Sequence, residues 1–251
     1  MITLSLIGIG AGNPGHLTLQ AIDAMRAADV ILIPRKGPEK DDLAGLRRAI
    51  CEAHLGMEAR LVEFDLPQRD AANPDYRAGV DDWHDAVARC WEAALRAALP
   101  KGGHAGFLVW GDPALYDSTM RIAERLETRM EIRREVIAGV SAISALTAGH
   151  GVPLNTIGGP VTITTGRNLR AHGWPEGAET LVVMLDGNCA FQEIDPKGIY
   201  IWWSAYAGMA QEIRLAGPLD EIGAQIARTR QAARARHGWI MDIYLMRRVC
   251  S

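Results

Sequence analysis

Three short segments of this chain combine residue types that can hold a small ligand. The first, GIGAGNPG from Gly8 to Gly15, sets Gly10, Gly12 and Gly15 at G-x-G-x-x-G spacing. Glycine lets the backbone take positive φ and lets a ligand approach the amides closely; this spacing is the dinucleotide fingerprint. The second, WGDPALY from Trp110 to Tyr116, puts a carboxylate between a glycine and a proline. The third, AGVSA from Ala138 to Ala142, sets a glycine ahead of Ser141, a good helix N-cap. Each has a bland explanation on its own: a tight turn, an Asp-Pro turn, a capped helix. Three such junctions in one half of the chain point to a ligand.

The elements around them explain how they come together. Ile2–Ile9 reads as a buried parallel strand, and Leu17, Ala21, Ile22, Met25 and Ala28 recur at helical spacing after the first glycine turn. Val30–Ile33 is a second strand, so the opening is a right-handed βαβ unit. Helix is predicted over 43–55, strand over 61–66, and a long helix carrying Val80, Trp83, Val87, Trp91, Leu95 and Ala98 on one face. That Trp stripe reads as core packing. Gly106–Trp110 and Ile132–Ile137 are strands, each followed by a helix, over 118–130 and 141–150. Alternation of this kind makes a parallel, doubly wound sheet whose carboxyl edge binds ligands. All three glycine junctions fall on that edge.

The segment GVPLNTIGGP, 151–160, is the best linker in the chain. It divides an N-terminal α/β lobe, 1–152, from a C-terminal α/β lobe, 153–251. Strands are predicted in the second lobe at 161–165, 180–185, 199–203 and 239–246, with a helix over 219–236 and a mixed sheet.

Composition excludes several classes. With 251 residues, 48% apolar and 23% charged, the chain is an ordinary globular protein of two compact lobes. A net charge of −3 gives no support to a dedicated nucleic-acid binder. The four cysteines form no CxxC pair and none stands beside a histidine at ligand spacing, so they read as reduced thiols of a cytoplasmic protein with no metal. The N-terminus has no basic n-region, and no apolar run reaches the ~20 residues needed to span a bilayer. An NAD site wants an acid at the end of the second strand, where Pro34, Arg35 and Lys36 stand instead. Arg35 keeps an NADP-dependent oxidoreductase as an alternative.

The segments GIGAGNPGHLTLQAIDAMRAADV, WGDPALYDST and IAGVSAISALTAGHGVPLN together resemble the three hallmark segments of the tetrapyrrole (corrin/porphyrin) methylases. The resemblance continues through TLVVMLDG and the terminal strand and covers most of the chain. It implies two lobes with a cleft between them, S-adenosyl-L-methionine as cofactor, a tetrapyrrole substrate and a homodimer, with no nucleic-acid or membrane partner. IPRKGPEKDDLAGLRRAIC and GFLVWGDPALYDSTMRI look most like the branch that methylates ring carbon 1 of precorrin-5 and releases acetate. A methylase of the same family acting on another precorrin is the nearest alternative.

Matched residue by residue, the family's cofactor contacts fall on Trp110, Gly111, Asp112 and Leu115, on Ser141 and Ala142, and on Leu185 and Ala207. The last two rest on a gapped match. Pro34 replaces an acidic residue that some relatives carry before the arginine matching Arg35, so their general base is absent here. Methyl transfer needs alignment more than acid–base chemistry, whereas acyl release needs a base and an oxyanion donor. His16, Asn13 and Arg35 are the candidates for that second step. Arg35, Lys36, Lys40, Arg121, Arg167 and Arg170 are candidate partners for substrate carboxylates.

Overall fold

The computed structural model describes residues 1–35, 41–56, 59–67 and 76–249. Lys36, Lys40, Cys250 and most of the loop expected at 67–75 lie outside them.

The N-terminal half alternates strand and helix as its hydrophobic pattern requires. Its strands are β1 (Ile2–Gly8), β2 (Val30–Arg35), β3 (Leu61–Asp65), β4 (Gly103–Val109) and β5 (Ile132–Ile137). Its helices are α1 (Leu19–Ala27), α2 (Asp41–Leu55), α3 (Tyr76–Ala98) and α4 (Thr119–Glu127). The sheet order is β3-β2-β4-β1-β5 and every pairing is parallel. The chain leaving β1 goes to β2, beyond β4, while the chain leaving β4 goes to β5, beyond β1. The two connections therefore run to opposite sides of the sheet. Open α/β sheets bind ligands at the carboxyl edge where connections diverge in this way.

Both sheet faces are covered, which is why the strands read as apolar runs rather than alternating ones. On one face Leu4, Leu6, Leu32 and Phe107 pack against Trp91 and Leu95 of α3 and Ile122 and Leu126 of α4. On the other, Ile7, Ile31, Ile33 and Leu108 pack against Ala21 and Met25 of α1 and Ile50 and Cys51 of α2. The Trp stripe of α3 is core on this evidence of burial: Trp91 is 1% exposed and stacks on Phe107 with ring centroids 4.2 Å apart.

The second half holds α5 (Ala142–His150), β6 (Val161–Thr165), α6 (Gly166–His172), β7 (Thr180–Met184), β8 (Ile199–Ala205), β9 (Ile213–Pro218), α7 (Leu219–His237) and β10 (Asp242–Arg248). Its sheet order is β6-β7-β10-β8-β9, parallel only between β6 and β7, hence mixed. Leu181, Val183, Ile201, Trp203, Tyr244 and Met246 build its core with Phe191 and Ile226.

Contacts divide the chain into Met1–Gly10 with Pro14–Val140, and Ala11–Asn13 with Ser141–Ser251. The division after Val140 comes earlier than the linker expected at 151–160, because α5 packs on β8, β9 and β10. Two elements escaped the sequence reading. α6 is short, and glycine opens it. β9 alternates half-buried and exposed residues at the sheet edge. The final strand starts at Asp242, not 239: Trp239 instead sets its ring edge-on against Tyr206, 5.1 Å between centroids, and its carbonyl accepts the Tyr206 hydroxyl at 2.6 Å.

Candidate active site

At the carboxyl edge of the first sheet four glycines meet. The Ile9 amide donates to the Val109 carbonyl at 2.9 Å, and Gly10 and Gly111 then exchange a pair of backbone hydrogen bonds of 3.2 and 2.9 Å. Gly111 has φ +68°, the left-handed region that favours glycine. Gly139, after β5, lies so close that a side chain there would strike the Gly111 carbonyl and the backbone of Gly8. A side chain on Gly8 would in turn lie 2.6 Å from the Gly139 amide nitrogen. Gly8 and Gly139 are thus required by each other's backbones, and Gly111 by its positive φ.

Asp112 closes this junction. One carboxylate oxygen accepts the Ala114 amide at 2.8 Å, the other the Gly139 amide at 2.9 Å. The Leu115 amide donates back to the Asp112 carbonyl at 3.2 Å. The turn continues into Tyr116, whose φ of +51° is strained for a non-glycine residue and whose ring is 42% exposed. Such outliers gather at ligand sites. Trp110, Gly111, Asp112 and Leu115 therefore form one tightly built turn.

The first glycine segment is different. It does not run from β1 straight into a helix: a short 3-10 turn, Pro14–His16, intervenes, and Thr18 caps α1 by accepting the Ala21 amide at 3.0 Å. The helix N-terminus that cradles a pyrophosphate in dinucleotide folds is displaced from the glycines. His16 packs its side chain against Gly10, and its enclosed Nδ1 has no hydrogen-bond partner. Asn13 is exposed. Arg35 closes its guanidinium fork on Asp65, at 3.0 and 3.1 Å, with Glu63 at 3.7 Å. The pair is exposed, and it already supplies Arg35 with a carboxylate. Of the other cations named from sequence, Arg121 donates to the Asp117 carbonyl and Arg170 pairs with Glu193.

In the second unit Ser141 is the N-cap of α5, its hydroxyl accepting the Ser144 amide at 3.3 Å, and Ala142 begins the helix. Leu185 follows β7 with φ +51° and is 66% exposed, a conspicuous position for leucine. Ala207 is buried and follows Tyr206, another residue at positive φ.

A polar network missed from sequence fixes the Leu185 turn. Asp186 is buried and accepts the Asn188 and Ala190 amides and the Tyr244 hydroxyl, at 3.1, 2.6 and 2.7 Å. Arg230 of α7 donates to the Asp186 carbonyl at 3.0 Å and pairs with Asp242 of β10 at 2.9 and 3.2 Å. Trp203 Nε1 completes Asp242 at 3.0 Å. Burial pushes the Asp242 carboxyl upward, and its bonds to Arg230 oppose that. The tyrosine hydroxyl of Tyr244 is pushed up by burial and by the Asp186 charge, so it stays a donor. A sequence signal existed: Asp186 follows a strand end, and Asp242 and Tyr244 share one face of β10.

No three histidine, cysteine or acidic residues are grouped to hold a metal among the described residues. No described helix is long and apolar enough to cross a membrane.

The model of the tetrapyrrole (corrin/porphyrin) methylases matches residues 3–223. A precorrin-6A synthase [deacetylating] of Sinorhizobium is 48% identical over 251 residues, covering 99% of this chain and 96% of that protein. A precorrin-2 C(20)-methyltransferase of Sinorhizobium is 32% identical over 153 residues, 59% of this chain and 58% of its own. Among solved structures, a cobalamin synthesis related protein (CobF) from Corynebacterium diphtheriae superposes with TM-score 0.85 at 38% identity, covering all of both chains. A uroporphyrin-III C-methyltransferase from Thermus thermophilus, complexed with S-adenosylhomocysteine, matches at TM-score 0.62 and 20% identity over 97% and 91% of the two chains, a likeness of fold. With a family match across most of its length and a relative spanning nearly all of it, this chain belongs to the tetrapyrrole (corrin/porphyrin) methylases.

Proposed function

We propose that the chain is an S-adenosyl-L-methionine-dependent C-methyltransferase of cobalamin biosynthesis. It methylates precorrin-5 at ring carbon 1 and releases acetate, giving precorrin-6A. The observation that carries this reading is the full-length likeness to the Sinorhizobium precorrin-6A synthase.

The residues suit the cofactor. A side chain built on Gly111 would meet nothing within 4 Å, so the turn offers bare backbone to a ligand. Leu185 offers exposed apolar surface. Bound there, S-adenosyl-L-methionine supplies a methyl group on a sulfonium whose leaving group is a neutral thioether. In the first unit Trp110, Gly111, Asp112 and Leu115 are the proposed contacts; in the second, Ser141, Ala142, Leu185 and Ala207. Asp112 acts through structure: its carboxylate is tied to two amides and holds Gly111 and Gly139 in register. Fixed geometry of this kind supplies the alignment that methyl transfer to a carbon nucleophile requires, an effect worth roughly 7–11 kcal/mol in well-oriented systems.

The same reading carries a cytoplasmic homodimer, for which sedimentation of the purified chain at micromolar concentration is the test. The activity itself is tested by incubation with precorrin-5 and methyl-labelled S-adenosyl-L-methionine. Mass spectrometry should find a macrocycle that has gained the labelled methyl and lost an acetyl group. Absence of label in the macrocycle refutes the reading, and label without acetate moves the chain to another branch of the family.

A further inference from the structure

A cavity of about 260 Å³ opens in the first unit beside the Gly111–Leu115 turn. Its floor is apolar, built from Trp91, Phe107 and Ile122, and its polar wall holds Arg47, Tyr116, Asp117 and Thr119. We propose that this cavity takes the acyl group of the substrate, with Asp117 as the base for its hydrolysis and Arg47 as the partner of the oxyanion. The proposal rests on the reading above and assigns the acyl-release step to residues other than His16, Asn13 and Arg35.

Arg47 is placed for such a role. It rises from α2, and its Nε donates to the Leu108 carbonyl at 2.9 Å, which fixes the plane of the guanidinium against the end of β4. Burial pulls its pKa down to about 10, with the Asp117 charge opposing, so it remains a cation at neutral pH. A partly desolvated cation on a cavity wall is strongly attractive to developing negative charge, because the local dielectric is low. Arg35 sits in solvent, paired with Asp65.

Asp117 is held by Thr119. One oxygen, Oδ1, accepts the Thr119 amide at 2.6 Å and its hydroxyl at 2.5 Å. Those bonds orient the carboxylate at the start of α4. Asp117 and Arg47 thus line one cavity as a carboxylate and a cation, the two groups that hydrolysis of an acyl carbonyl calls for. The apolar floor accepts the methyl of a two-carbon acyl group. Tyr116, at strained φ, follows Leu115 directly and lines the same cavity, so the acyl site adjoins the turn proposed to hold the methyl donor.

Water attacks the acyl carbon, and its proton passes to Asp117. The carbonyl oxygen becomes an oxyanion opposite Arg47. The bond from the acyl carbon to ring carbon 1 then breaks, leaving its electron pair on the macrocycle. That carbon takes the methyl from the sulfonium, and acetic acid departs and ionises. Precorrin-5, water and S-adenosyl-L-methionine thereby give the methylated macrocycle, S-adenosylhomocysteine, acetate and two protons.

Asp117→Asn keeps the acceptor for the Thr119 amide and removes the base. Acetate release should fall about 10²–10⁴-fold, the usual worth of a general base. Arg47→Lys should lower it about 10²–10³-fold, as loss of an oxyanion donor does. S-adenosylhomocysteine affinity by calorimetry and the unfolding temperature should both stay within error of wild type in Asp117→Asn. In H₂¹⁸O the wild-type acetate should carry one ¹⁸O. Acetate release by Asp117→Asn within threefold of wild type overturns the assignment. So does a matching loss of S-adenosylhomocysteine affinity, which a purely structural Asp117 gives, or unlabelled acetate. A wild-type chain that methylates without releasing acetate sinks the functional reading instead, and this one with it.

Discussion

Replacing Gly139 by alanine tests the junction on which the candidate site is built. The φ of Gly139 lies outside the left-handed region, so alanine is permitted by the backbone and steric contact alone decides. Its added carbon would lie 2.9 Å from both the carbonyl carbon and Cα of Gly8, and nearer still to the Gly111 oxygen. All three are backbone atoms that cannot swing aside. Overpacking of this kind costs about 1–3 kcal/mol. A shift that separates Gly139 from Asp112 also forfeits a hydrogen bond to a charged acceptor, worth roughly 1.5–3 kcal/mol. Together these give a loss of roughly 2.5–6 kcal/mol, and a fall in unfolding temperature of about 5–24 °C for a chain of this size. Because the strain falls on Gly111 and Asp112, S-adenosylhomocysteine affinity should drop at least tenfold (~1.4 kcal/mol). Gly45→Ala is the matched control. Gly45 lies inside α2, and a side chain there meets only the flexible end of Arg48 at 3.9 Å, so alanine should stabilise by about 0.5–1 kcal/mol. Calorimetric scans and titrations of both variants decide the matter. A Gly139→Ala protein that unfolds within a degree of wild type and binds the nucleotide equally well refutes the argument.

Arg230→Met leaves Asp242 buried with only Trp203 as a partner and should cost about 3–5 kcal/mol in chemical denaturation. Burial already raises the Asp242 pKa, so the stability this group contributes is present at acid pH and lost as pH rises through its folded value; the variant's deficit should therefore shrink toward acid pH. His84 is 3% exposed with no partner on either ring nitrogen, and burial lowers its pKa; His150 is lowered likewise, against the Trp203 carbonyl. A histidine lowered in the folded state costs stability as pH falls below the unfolded value of about 6.5, by up to about 1.4 kcal/mol per pH unit for each. Urea midpoints between pH 8 and 5 should fall accordingly, and His84→Gln should flatten that slope. Cys51 and Cys189 are buried with thiols pushed up to about 11, so native protein at pH 8 should leave both unmodified by iodoacetamide while half-buried Cys90 reacts before either. Peptide mapping after a timed exposure reads this directly.

The first sheet was legible because its signals are local. β1 alternates and then runs apolar, β4 ends in the apolar run Phe107–Val109, and glycine junctions mark where strands end. The glycine at 139 looked like a mere prelude to a capped helix, since its closeness to Gly8 and Gly111 is a fact of three dimensions. The dinucleotide reading of Gly10, Gly12 and Gly15 failed for a nearby reason: the short turn at Pro14–His16 delays α1, and spacing alone does not reveal where a helix starts. β9 was missed because an edge strand needs only one buried face and makes a weak pattern. Arg230 carried no signal, because a charged residue in a helix reads as surface until the fold brings it to its partner. Arg47 and Asp117 stand far apart in sequence and meet at one cavity only through the parallel pairing of β2 and β4.

The place of β10 has a consequence for how the molecule is made. It is the central strand of the second sheet, yet it consists of residues 242–248. β7 and β8 have no common neighbour until it arrives, so emergence from the ribosome exposes their inward faces, Val183 and Trp203 among them, to solvent for the whole time that α7 is being translated. The first sheet is complete by residue 137 and carries no such delay. At ~5–20 residues per second the second unit waits some seconds as an open half-sandwich. A nascent chain stalled before residue 242 should therefore be the species that chaperones hold and proteases cut.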